Sequence, residues 1–122
     1  MADFKAVADD YIDSWNETDP VARRQRIETL WSADGRYTDP LADAQGLDAI
    51  DATIAAVQSQ FPHFRFRLAG PVDGHGNQCR FTWELGPEHS DGLVAGFDVA
   101  VLAGDGRVQT VLGFLDRVPP AP

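Results

Sequence analysis

Apolar residues in the first half of the chain recur every three or four positions, whereas beyond His63 they recur every two. Phe4, Val7, Ala8, Tyr11, Ile12 and Trp15 form one apolar stripe, which predicts a first amphipathic helix. The run "ETDP" then interrupts and restarts the chain: Asp19 suits the cap of a second helix and Pro20 its first position. Ile27, Leu30 and Trp31 are expected to line that helix, with Arg23, Arg24 and Arg26 on its solvated side. A short extended piece, Arg36 to Thr38, ends at Asp39-Pro40, because the residue before a proline avoids helical geometry. Leu47, Ile50, Ile54, Val57 and Phe61 mark a third helix with one buried face, closed by Pro62.

From Phe64 the alternation is that of half-buried strands. Phe64, Phe66 and Leu68 alternate with Arg65 and Arg67; Cys79, Phe81, Trp83 and Leu85 alternate with Arg80, Thr82 and Glu84. "DGHGN" and "GPEHSDG" are turn signals, a third long strand runs from about Leu93 to Leu102, and Asp105-Gly106 turns it into a fourth, Val108 to Asp116. Four strands joined this way read as an antiparallel meander. Helices followed by a meander predict an α+β fold, with the three helices packed on one face of a curved sheet. Residues 1–118 are expected to be a single domain and 119–122, "PPAP", a flexible tail.

Composition narrows the partners. The chain has 122 residues, 43% hydrophobic and 24% charged, enough for one substantial core. A formal net charge of -9 argues against nucleic acid and anionic membrane surfaces. One cysteine, Cys79, excludes an internal disulfide and suits a reducing compartment. The start of the chain carries Asp3, Lys5, Asp9 and Asp10 rather than an apolar signal segment, and no apolar run reaches the ~18 residues of a membrane span. The expected location is the cytoplasm.

Two aspartates stand out. On the strand holding Asp98, one face reads Leu93, Ala95, Phe97, Val99, Val101 and the other Val94, Gly96, Asp98, Ala100, Leu102. A carboxyl on an apolar face among small residues is either a buried, hydrogen-bonded structural group or an acid lining a cavity. Asp39 is either turn punctuation or a carboxylate at a pocket mouth. His63, His75 and His89 lie near turn signals without metal-ligand spacing, so no metal site is expected, and Cys79 reads as a buried inert thiol.

"DDYIDSWN", "RYTDP", "GLDAI" and "GFDVAVLAGDGRV", in that order, resemble the nuclear transport factor 2-like superfamily, of the SnoaL-like polyketide cyclase and ketosteroid isomerase type. The resemblance implies a cone-shaped curved antiparallel sheet with three helices on its concave face, and often a homodimer built on the outer sheet face. It places Asp39 on an aspartate base, and Asp98 and Tyr11 on the protonated acid and tyrosine that polarise a carbonyl. Trp15, Trp31, Trp83 and Phe61 are the candidate pocket walls, and an apolar small molecule is the expected ligand. The scheme needs no cofactor. An epoxide hydrolase-like reaction is disfavoured, because Arg80-x-Thr82 lacks the required carboxylate. The rival expectation is a non-catalytic ligand-binding or dimerisation module of the same fold.

Overall fold

The structure is a computed structural model, which describes residues 3–88 and 92–119. His89 and residues 120–122 of the expected tail lie outside the described residues. Three helices, α1 (Phe4–Asn16), α2 (Pro20–Leu30) and α3 (Leu47–Gln60), accompany seven strands. These are β1 (Trp31–Asp39), β2 (Ala42–Gln45), β3 (Phe64–Leu68), β4 (Asp73–His75), β5 (Gln78–Pro87), β6 (Val94–Leu102) and β7 (Val108–Arg117). The sheet runs β2-β1-β7-β6-β5-β3, with β4 paired to β5 off that path. It is curved, unclosed and mixed, in the arrangement of the α+β NTF2-like cone.

The expected meander is present as β3-β5-β6-β7, every neighbouring pair antiparallel. β1 then joins β7 in parallel, with Tyr37 opposite Val111 and Thr38 opposite Leu112. That one parallel pair makes the sheet mixed rather than wholly antiparallel.

Helix boundaries follow their caps. Asp3 accepts from Ala6 N–H at 3.1 Å and Asp19 from Ala22 N–H at 2.9 Å, with Pro20 opening α2. Ala8, Tyr11, Ile12 and Trp15 are the buried stripe of α1, and Ile50 and Ile54 that of α3.

Two details of α2 differ from expectation. Trp31 does not line the helix: it is the first residue of β1, and its N–H closes the last turn onto Ile27 O. Its β-region backbone (φ -97°, ψ 148°) shows why the apolar period misled, since a bulky buried residue serves either element. Arg23 is not solvated either. It is only 7% exposed, with Nε donating to Asp51 Oδ1 at 2.6 Å and Nη1 to Gln58 Oε1 at 2.9 Å. Gln58 Nε2 donates in turn to Trp15 O and Glu17 O at 3.0 and 2.8 Å. One buried guanidinium therefore ties α2 to α3 and, through Gln58, to the end of α1. Short β2 and β4, each a hairpin arm of three or four residues, were not expected from the pattern.

Candidate functional site

The concave side of the sheet and the helices enclose a cavity of about 210 Å³. Asp39 and Asp98 both line it, as do Tyr11, Trp15, Trp83 and Phe61. Trp31, the fourth expected wall residue, does not. It is buried at the start of β1, where its ring lies against Gly35 and 6.4 Å from that of Tyr11, outside the cavity lining.

Each wall is set by a local device. Asn16, at the end of α1, exchanges two bonds with the backbone of Phe66, 2.9 Å as donor and 2.7 Å as acceptor. This fixes α1 against β3 and brings Trp15 to 5.3 Å from Phe66, ring centroid to centroid. Phe66 lies 5.3 Å from Trp83, and Trp15 5.5 Å from Tyr37, so the rings form a continuous arc. Trp83 pairs across strands with Gly96, and its indole occupies the space that any β-carbon on residue 96 would need.

Asp98 is only 2% exposed and sits between Phe81 of β5 and Gly113 of β7 in register. Loss of hydration raises its pKa from 3.8 to about 7; nearby Trp83 and Tyr11 pull it part of the way back, and the Asp39 charge pushes it up again. Neither neighbour completes a hydrogen bond of ordinary geometry. Asp98 Oδ1 and Tyr11 Oη are both buried without a partner, because such bonds require alignment as well as proximity. Burial, then the charge of Asp98, holds the Tyr11 phenol well above its ordinary pKa. Tyr11 is thus a proton-bearing hydroxyl at neutral pH, and with Asp98 it offers two polar groups waiting for a third.

Asp39 is held differently. β1 puts Tyr37 and Asp39 two residues apart on the same face, and Tyr37 Oη donates to Asp39 Oδ2 at 2.5 Å. Leu41 N–H, in the turn between β1 and β2, donates to Oδ1 at 2.7 Å. The carboxylate is therefore turn punctuation and a cavity wall at once. Burial first, then the charge of Asp98 and the bond to Asp39, raises the Tyr37 pKa, so this phenol too keeps its proton.

Gly113 makes the meeting of the two carboxyls possible. A β-carbon there would lie 2.9 Å from Asp98 Oδ1 and 3.2 Å from both Asp39 Cβ and Thr38 O. Tyr37 and Gly113 are site residues that the sequence reading did not single out. The period-two spacing of Tyr37 and Asp39 was the available signal; for Gly113 there was none without the register. Cys79 is buried and its thiol pKa is raised by burial, as an inert core thiol requires. Among the described residues, no three of His, Cys, Asp and Glu cluster to hold a metal ion. No helix among them is long and apolar enough to cross a membrane.

Residues 8–111 match the model of the SnoaL-like domain family, and the chain belongs to that family. It is similar to the crystal structure of a "putative isomerase of the SnoaL-like family" from Agrobacterium tumefaciens, at 42% identity and a TM-score of 0.89 over 93% of this chain and 97% of that one. A "putative ketosteroid isomerase" from Kribbella flavida shares 18% identity and a TM-score of 0.69 over 96% of this chain and 80% of that one. A "putative polyketide cyclase" from Sinorhizobium meliloti shares 16% and 0.69 over 88% and 93%. The last two show likeness of fold alone. Among curated proteins, none matches the chain.

Proposed function

We propose that this cavity binds a small carbonyl compound and moves a proton on it, as an isomerase or cyclase of the acid/base type. Asp39 takes a proton from the carbon beside the carbonyl; the electron pair left behind moves onto the carbonyl oxygen. That oxygen accepts hydrogen bonds from the Asp98 carboxylic acid and the Tyr11 hydroxyl, and the proton on Asp39 returns to the same or a neighbouring carbon. One observation carries the reading: Asp98 and Tyr11, whose Oδ1 and Oη are both buried and unpartnered, line the same cavity as the donor-fixed carboxylate of Asp39. Burial keeps Asp98 protonated up to about pH 7, which is what a hydrogen-bond donor at this position needs.

The test is exchange of the hydrogens beside the carbonyl of 2-tetralone in deuterium oxide, followed by proton NMR. Exchange faster than in buffer, and abolished by Asp39→Asn, is the expected result. Exchange at the buffer rate with the ketone bound would leave a binding module without catalysis.

Assembly belongs to the same proposal. Phe114 is 53% and Leu112 43% exposed on the outer sheet face, where they pair in register with Phe97 and Val99. An apolar patch of this kind favours a homodimer through the outer face. Light scattering at micromolar concentration should give twice the monomer mass, and Phe114→Glu should return it to the monomer. The acidic surface and buried thiol fit a protein of the reducing cytoplasm that binds neither nucleic acid nor membrane, and the scheme runs without a cofactor.

A further inference from the structure

None of the polar groups around the cavity is cationic. Its described lining includes Asp39, Asp98, Tyr11, Tyr37 and Gln60 but no lysine, arginine or histidine. Three arginines of the neighbouring strands are engaged elsewhere: Arg36 with Asp43 at 2.9 Å, and Arg67 and Arg117 with Glu84 at 2.9 and 3.4 Å. An anionic ligand would meet two carboxyl groups and no counter-charge, inside a chain of net charge -9. A cationic ligand fares little better. It would have to pair with Asp39, whose two oxygens already share their charge with Tyr37 and Leu41, and Asp98 would have to ionise in an apolar setting to add to the attraction.

Size is bounded as well. Apolar cavities of roughly 150 Å³ take up benzene, with its six non-hydrogen atoms. A cavity of about 210 Å³ is larger than that and smaller than the ~300 Å³ at which typical drug-sized sites begin. Trp83 packs directly against Gly96, which leaves no space between the indole and the sheet. The walls are rings: Tyr37, Trp15, Phe66 and Trp83 follow one another at 5.5, 5.3 and 5.3 Å, tilted by 53°, 60° and 63°. At the rim stand Leu41, 84% exposed, and Val118, so any part of a longer molecule emerges there into water.

We infer that the cavity is selective for uncharged ligands of one or two fused rings, and that affinity stops growing beyond the second ring. The inference rests on the proposed function only for the carbonyl group; the size and charge limits come from the cavity itself.

The experiment uses quenching of Trp15 and Trp83 fluorescence by a matched set of probes at pH 6.5. 2-Tetralone is the uncharged two-ring probe, tetralin-2-carboxylate its anionic and 2-aminotetralin its cationic counterpart. Cyclohexanone and a four-ring steroid ketone bracket it in size. 2-Tetralone should bind at least about 100-fold more tightly than the carboxylate, the scale set by one uncompensated like charge at contact distance. It should also exceed cyclohexanone by roughly tenfold or more, given the apolar area of a second ring, and bind more tightly than the amine, whose charge must leave water for an apolar setting. The steroid should bind no better than 2-tetralone. Filling the cavity by Val94→Phe from β6, or by Val57→Phe from α3, should abolish binding.

Equal or tighter binding of the carboxylate or the amine would overturn the inference. So would a steroid that binds more tightly, retention of binding in both filled variants, or no binding by any probe. A ketone bound with the expected selectivity, but exchanging its hydrogens at the buffer rate, would overturn the acid/base reading and leave this inference standing.

Discussion

Replacing Asp98 by asparagine keeps the size of the side chain and removes its charge, so the variant isolates the cost of ionising this group inside the fold. The folded pKa, about 7, lies above the ordinary 3.8 because burial disfavours the carboxylate. For an acid with a raised folded pKa, the stabilising contribution is fully present below the unfolded value and is lost as pH climbs to the folded one. The shift of about three units corresponds to about 4 kcal/mol across the whole window from pH 3.8 to 7. Between pH 5 and pH 8 about 3 kcal/mol of it remains to be lost. The wild type should therefore weaken relative to Asp98→Asn by about that amount over this interval. Urea unfolding followed by tryptophan fluorescence, at half-unit pH steps, measures the difference directly. In an Asp39→Asn background the slope should persist but shift to lower pH, because the Asp39 charge is among the causes that raise Asp98. A stability difference that is flat with pH, or an asparagine variant that is the weaker at pH 8, would mean that Asp98 is an ionised and well-paired carboxylate. The donor role assigned to it would then fail.

Two further outcomes rest on packing. Gly113→Ala would place a methyl group 3.2 Å from Thr38 O and 2.9 Å from Asp98 Oδ1, which should cost about 1–3 kcal/mol in urea unfolding and push β1 away from β6. Arg23→Ala removes the buried partner of Asp51 and Gln58, and should cost about 3 kcal/mol; Arg23→Lys should recover only part of it, because one ammonium cannot reproduce the two directed bonds. Destabilisation by Arg23→Ala below about 0.5 kcal/mol would show that the guanidinium is a surface group after all.

The periodic elements were readable because a half-buried element must repeat its apolar residues at its own period. α1, α3, β3, β5, β6 and β7 all fall where the pattern puts them, within the few residues by which such ends vary. Trp31 and Arg23 were misplaced for the same reason. A single residue at a junction carries no period, and a charged residue on a helix gives no sign that Asp51 and Gln58 will come to meet it. Asp98 was legible as a carboxyl on an apolar strand face, and Asp39 as the residue before a proline. Their nearness was not legible from local pattern, since it depends on the parallel pairing of β1 with β7, which no turn signal announces. Tyr37 remained unremarked although its bond to Asp39 spans only two residues, because a tyrosine in a strand is ordinarily a packing residue.

That parallel pairing governs when the site can come into being. Asp39 stands on β1 and Asp98 on β6, and the strand inserted between them, β7, is the latest of the three in the chain. Until β7 docks, nothing holds the two carboxyls across a shared space, and Asp98 keeps the water that later burial removes. The contacts between β1 and β7 join residues more than seventy positions apart, so the site depends on the long-range pairing that completes the sheet. The dry acid exists only with the pairing that completes the sheet, where the rest of the fold bears its cost.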